Sequence, residues 1–280
     1  MPSFERVTLT DEVAYPPPHH MLRDLRIEFA HGARESHAWI PIVPELADAR
    51  GHVRLGVLAT LADVLGGGLA GLAAAPGWIA TADLTVHRVE PIDATAGELE
   101  AHGRVLRAGR STVVLECRIR ADRHVAACAT MTFAVLDRRD TNPVLAPPDG
   151  PAQRQSMANA DSRLPRPVLE ALGISVPAPG DAVLDIAPYV VNSLGATQGG
   201  ALATLAEVAA ESVDPSGRSA VVDLQLSYLT LAKIGPVAAS AIRCGAEDVD
   251  GGPGVVRVVI VDGGTQRTAA HALVRIEELP

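Results

Sequence analysis

The hydrophobic pattern changes period several times along the chain, and the changes mark its elements. Residues 55–80, LGVLATLADVLGGGLAGLAAAPGWIA, carry one charge, Asp63, and read as a helix that is apolar all round. A soluble protein buries such a helix at its centre. Its length would also permit a membrane span, but five glycines between 55 and 71 and the lack of a basic belt on both sides argue against one. Strand-like runs follow. Ser111–Ile119 and Val255–Val261 each lead into a turn signal (Ala121-Asp-Arg and Asp262-Gly-Gly) and then a second apolar run, Ala126–Leu136 and Ala269–Ile276. That is the pattern of antiparallel hairpins with one buried face.

The pattern repeats. Leu55–Val64, LGVLATLADV, and Gly199–Val208, GGALATLAEV, agree at seven of ten positions, 144 residues apart, with Asp63 answered by Glu207. Downstream, Asp83-Leu84 is answered by Asp223-Leu224, 140 residues apart. Each half therefore predicts a strand, a loop (at Gly51 or Gly195), a buried helix and three or four antiparallel strands. The expected organisation is an arm at 1–21, one unit at 22–137, a linker at 138–167 and a second unit at 168–280. The linker reading rests on six prolines and the lack of periodicity between Asp137 and Pro167. The fold class is α+β, two similar units whose sheets join edge to edge with both helices on one side.

Composition narrows the classes of function. Eight aromatic residues in 280 and a net charge of −9 argue against a nucleic-acid partner, which would need stacking platforms and cations. Three widely spaced cysteines and an N-terminus without an apolar segment predict a reducing, cytoplasmic compartment. The nine histidines show no metal spacing, so no metal site is expected, and His19, His20 and His52 read as solvated. Gly66-Gly67-Gly68 lacks the spacing of a nucleotide loop and reads as close packing. Arg104, Arg107 and Arg110 fit either a solvated strand and turn or a surface for coenzyme A phosphates.

The segment Asn192-Ser-Leu-Gly195-Ala-Thr-Gln198-Gly199-Gly200-Ala-Leu-Ala-Thr-Leu-Ala-Glu207 resembles a motif of the hotdog fold, and specifically of PaaI-like acyl-CoA thioesterases in the 4-hydroxybenzoyl-CoA thioesterase superfamily. Asp223–Leu229 with Gly235-Pro236 is similar to the strand that follows the helix there. The resemblance spans roughly 22–137 and 168–277. It implies two tandem hotdog units, each a helix wrapped by a curved antiparallel sheet, and hydrolysis of acyl-CoA to acid and coenzyme A. It implies no cofactor beyond the coenzyme A of the substrate, no membrane partner, and leaves a homodimer of such chains open. A non-catalytic acyl-CoA-binding or sensing protein on the same fold is the alternative.

Thioester hydrolysis needs donors for a developing oxyanion and a base for water around one carbon. Gly199 and Gly200 open the second helix, where free N–H groups and the positive helix end lie. Glu207 is eight residues on, about 12 Å along the same helix, so the acid serving Gly199 has to come from the other helix: Asp63. Two composite sites follow. The first pairs Asp63 with Asn192, Gln198 and Gly199, and Gly200 is expected to contact substrate. The second combines Glu207 with Asp48, Arg54 and Leu55. The resemblance implies that the Asn192 amide and Gly199 N–H polarise the carbonyl and that Thr81, two residues before Asp83, orients water. Gln198 stands where the family has His. Asp48 for Asn and Val221 for Thr mark the Glu207 site as the impaired one.

Overall fold

The computed structural model describes residues 15–95, 97–138, 152–245 and 254–278. In chain order the first unit contains α1 (Met21–Asp24), β1 (Glu28–His31), β2 (Glu35–Pro41), α2 (Leu55–Ala74), β3 (Trp78–Arg88), β4 (Glu98–Ala108), β5 (Thr112–Ala121) and β6 (His124–Leu136). A short strand, β7 (Gln155–Ser156), leads to the second unit. That unit contains α3 (Val168–Leu172), β8 (Ile174–Ala178), β9 (Asp181–Leu184), α4 (Gly199–Glu211), β10 (Ser219–Tyr228), β11 (Val237–Cys244), β12 (Gly254–Asp262) and β13 (Arg267–Glu278). Among the described residues, thirteen strands form one sheet, ordered β7-β1-β2-β4-β5-β6-β3-β10-β13-β12-β11-β9-β8. The chain is two tandem hotdog units. α2 lies against β2 to β6, α4 lies against β9 to β13, and the two helices touch each other.

The alternation seen in the sequence is the burial pattern of the sheet. Val113, Leu115, Cys117 and Ile119 of β5 are buried, with less buried residues between them. α2 is long and apolar enough to cross a membrane by length and composition, yet most of it is enclosed by sheet. It ends at Ala75-Pro76, because proline disfavours helical backbone in the residue before it. Its triple glycine is explained in part by packing. A Cβ at Gly66 would strike Met131 and Phe133, and one at Gly68 would strike the His31 ring, whereas Gly67 faces open space.

The units are joined in a pseudo-twofold manner. β3 and β10 pair antiparallel from Asp83–Ser227 to His87–Asp223. Ser227 Oγ donates to Asp83 Oδ1 (2.7 Å), and His87 Nδ1 lies 2.7 Å from Asp223 Oδ1. The helices cross at equivalent glycines. A Cβ on Gly200 would lie 2.6 Å from Thr60 Cα, and one on Gly56 would lie 2.6 Å from Thr204 Cα. Backbone against backbone at this distance leaves no room for a methyl group.

Two boundaries differ from the sequence-based expectation. The second half of the expected linker packs on the first unit: β7 pairs with β1, Arg154 lies over the Trp39 ring and bonds Glu28 and Glu98. A proline-rich, aperiodic segment can still be ordered when tertiary partners satisfy its backbone and charges. Likewise the end of the arm is fixed. His20 is fully buried rather than solvated, with Nδ1 accepting from Leu22 N (3.2 Å) and Nε2 donating to Val191 O (2.9 Å). Residues 1–14 of the arm and 139–151 of the linker lie outside the described residues.

Candidate active site

Both helices are entered through the same loop. Gly51 (φ +85°) and Gly195 (φ +69°) occupy one equivalent position, in the left-handed region that favours glycine. Asp48 Oδ1 accepts from Arg50 N (2.8 Å) and His52 N (3.1 Å). Asn192 Oδ1 accepts from Leu194 N (2.9 Å) and Ala196 N (3.1 Å). Asp48 and Asn192 are thus the same turn-building residue in two copies. The Asn192 amide nitrogen faces Thr197 O at 3.4 Å. The side chain expected to polarise a carbonyl serves its own loop in this structure, and so does the carboxylate of Asp48 expected to spoil the second site.

Past the loops the two sites diverge. Asp63 is 8% exposed and abuts the start of α4: a Cβ on Gly199 would lie 2.5 Å from Asp63 Oδ2. Thr81 Oγ1 donates to Asp63 Oδ1 (2.8 Å). A register shift between Thr81 and Asp83 lets Thr81 face the helix while Asp83 is exposed. Burial pushes the Asp63 carboxyl up to about 6, against the Thr81 hydrogen bond, which favours the ionised form. Among the described residues no side chain caps α4, and no hydrogen bond engages the Gly199 N–H. An ionisable acid with a hydroxyl partner therefore faces a helix N-terminus with an N–H to spare.

Gln198 and Gly200 complete this side. Gln198 Nε2 donates to Tyr15 Oη (2.8 Å). Gly200 serves the helix crossing. Tyr228 Oη donates to Gly199 O (2.9 Å). Tyr15 and Tyr228 are site residues that the sequence reading missed. Tyr15 lies in a segment without periodicity and carries no local signal. Tyr228 had one: in the 140-residue alignment of the strands it stands opposite Arg88.

In the second site the acid fills the donors itself. Glu207 Oε1 accepts from Leu55 N (2.8 Å) and Oε2 from Gly56 N (2.9 Å), so it caps α2 from the other unit. Burial, then the Glu211 charge, raises its protonation, and Arg54, the Gly56 N–H and Arg88 oppose the rise. Glu211 Oε2 pairs with Arg54 (3.0 Å), and its Oε1 pairs with Arg50 (2.9 Å). Arg50 also bonds Asp48 (2.8 Å) and Ser219 O (2.6 Å). Arg54, expected as a substrate contact, is committed to this network. Val221, buried, offers no hydroxyl to Glu207. Arg104 pairs with Glu116 on an exposed face.

Position 211 corresponds to position 67 by the 144-residue repeat. Glu211 is held in ion pairs with Arg50 and Arg54, whereas at Gly67, one turn beyond Asp63, a Cβ would meet open space. β10 reaches β3 only from Asp83 onward, so the first residues of β3, including Thr81, have one edge unpaired by β10 beside Asp63.

Residues 50–128 match the family model described as the Thioesterase superfamily. No curated protein matches the chain. Among solved structures it is similar to a Lactobacillus plantarum protein described as an oleoyl thioesterase (TM-score 0.60, 12% identity, covering 89% of this chain and 98% of that one). It is also similar to an acyl-ACP thioesterase from Bacteroides thetaiotaomicron (TM-score 0.56, 14% identity, 87% and 98%). A third is the tesB protein of Mycobacterium avium subs paratuberculosis (TM-score 0.58, 13% identity, 90% and 96%). At these identities the likeness is one of fold, and it extends over both units.

Proposed function

We propose that this tandem hotdog protein, whose first unit carries the thioesterase-superfamily sequence pattern, hydrolyses acyl thioesters, with acyl-CoA as the carrier and the Asp63 site as the working centre. One observation carries this reading: of two sites related by the internal repeat, only the Asp63 one pairs a buried, hydroxyl-bonded carboxylate with a helix N-terminus that no other carboxylate occupies.

In this reading the thioester carbonyl sits at the start of α4. The Gly199 N–H and the helix end stabilise the developing oxyanion, which needs donors fixed before the reaction begins. Ionised Asp63 takes a proton from water held near Thr81, or attacks the carbonyl itself to give a mixed anhydride that water then opens. The coenzyme A thiolate departs in either case. The acyl group runs beside Gly67 along α2.

The test is turnover of an acyl-CoA panel, with acyl carrier protein thioesters beside it, by the wild type and Asp63→Asn. Hydrolysis of at least one acyl-CoA and its loss in the variant support the reading. Tight binding without turnover by the wild type supports an acyl-CoA-binding protein instead. Label found in the Asp63 carboxylate after a single turnover in ¹⁸O water identifies nucleophilic attack, with water then entering at the aspartyl carbonyl of the mixed anhydride.

A further inference from the structure

Tyr15 reaches the Asp63 site from outside either unit. Its phenol oxygen accepts from Gln198 Nε2 (2.8 Å), and its ring meets His20 edge-on at 5.2 Å. A phenol has one O–H to give. Among the described residues, nothing receives that proton. Tyr228 differs: its O–H is already given to Gly199 O. Burial, and next the nearby Asp63 charge, hold the Tyr15 phenol well above the usual phenol range, so it stays protonated. The side chain is half-buried, so a substrate that displaces solvent from it has to supply an acceptor for that O–H, and a carbonyl oxygen does so.

The tyrosine is held in place by contacts that do not involve its hydroxyl. Arg23 Nε bonds Pro16 O (3.0 Å) and Pro17 O (2.8 Å), and its terminal nitrogens bond Pro16 O (2.6 Å) and Met157 O (2.7 Å). His20 ties the same segment to Val191, in the loop that leads to Gln198. In the second site, Arg54 replaces Gln198 and is paired with Glu211.

We propose that Tyr15 is a substrate-facing hydrogen-bond donor of the Asp63 site, its O–H directed by the Gln198 amide toward the thioester carbonyl oxygen. The phenol remains protonated throughout and adds to the Gly199 N–H. Gln198, in the place where the resembling family has His, then acts by positioning Tyr15. The inference rests on the thioesterase reading, so its test carries a second, binding arm.

The test compares wild type and Tyr15→Phe in the full chain. Phe keeps the ring packing and every anchor of the segment. We expect kcat to fall roughly 10- to 100-fold, at or below the loss typical of one oxyanion donor. KM, which carries the same ground-state carbonyl contact that the ketone reports, should rise by up to about tenfold, and Tm should be unchanged because the ring packing is preserved. Gln198→Leu should lose less, and the double variant should lose no more than Tyr15→Phe alone. Unchanged kcat would reduce Tyr15 to packing, and a rise in kcat/KM would make it an obstructing lid; either overturns the proposal. The binding arm uses two inert ligands, an acyl-CoA ketone with methylene in place of sulfur and an alkyl-CoA thioether without the carbonyl. Tyr15→Phe should weaken the ketone about tenfold and leave the thioether unaffected, whether or not the wild type turns over. Equal effects on both overturn the proposal. A wild type that hydrolyses no thioester, but shows the ketone difference, overturns the hydrolase reading alone.

Discussion

Asp63 is where chemistry and stability oppose each other. Its carboxyl titrates at about 6 against an ordinary 3.8, so the folded state holds the proton more tightly than the unfolded chain does. Stability from this group is therefore lost as pH rises from about 4 to about 6 and is not regained above that. The shift corresponds to roughly 3 kcal/mol. Asp63→Asn should accordingly raise Tm at pH 8 but not at pH 4, as thermal melts at the two pH values would show. The same substitution should lower kcat by about 10² or more, because a general base contributes 10²–10⁴-fold. In the wild type, kcat/KM should rise with pH through about 6 and then level. A flat profile between pH 5 and 8 would remove Asp63 from the role of base. Burial raises the Glu207 carboxyl too, but Glu207→Gln has a further effect, on the cap of α2. Its amide would turn a donor toward either Leu55 N or Gly56 N, and Arg54 and Arg88 would lose a compensating charge. The expected cost is about 3 kcal/mol in chemical denaturation, with most activity kept. Equal loss of activity from Asp63→Asn and Glu207→Gln would mean two working or coupled sites.

At the scale of elements, α2 and α4 are related by sequence but not by occupancy. Their crossing depends on Gly56 and Gly200, each against the backbone of a threonine. Gly200→Ala should separate the helices and lower stability by about 2 kcal/mol or more, typical of overpacking. Gly67→Ala meets open space and should be nearly neutral for stability. A larger residue at 67 should act on specificity. Gly67→Leu is expected to reduce kcat/KM for acyl chains of about ten carbons far more than for acetyl-CoA. A uniform loss across chain lengths would place the acyl group elsewhere. Glu211, at the equivalent place in α4, carries a side chain held in ion pairs with Arg50 and Arg54.

For the molecule as a whole, the two units form one sheet through β3 and β10 and one helix pair through α2 and α4. Each site takes its acid from one unit and its helix N-terminus from the other. Neither unit can then complete a site, and activity should depend on their association. Cleavage engineered between Arg138 and Ala152 should leave the pieces together in size-exclusion chromatography and active. Activity retained by either piece alone, once the two are separated, would contradict the composite arrangement.

The sequence by itself determined the repeat, the buried helices, the one-faced strands and the placement of an acid in each helix. These follow from period and spacing, which are local properties of the chain. It also marked the two sites as unequal, through Thr81 against Val221. Only the tertiary structure decided how they are unequal. Asn192 and Asp48 read as opposite in charge, yet both build the same turn, because a short polar oxygen is all the loop requires. Glu207 reads as the acid of an impaired second site, and its hydrogen bonds from Leu55 N and Gly56 N make it a helix cap. Tyr15 stands 48 positions before Asp63 in a segment without pattern, and long-range packing alone brings its phenol to Gln198. Hydrogen-bond partners across units depend on which surfaces meet, and periodicity along one chain does not record that.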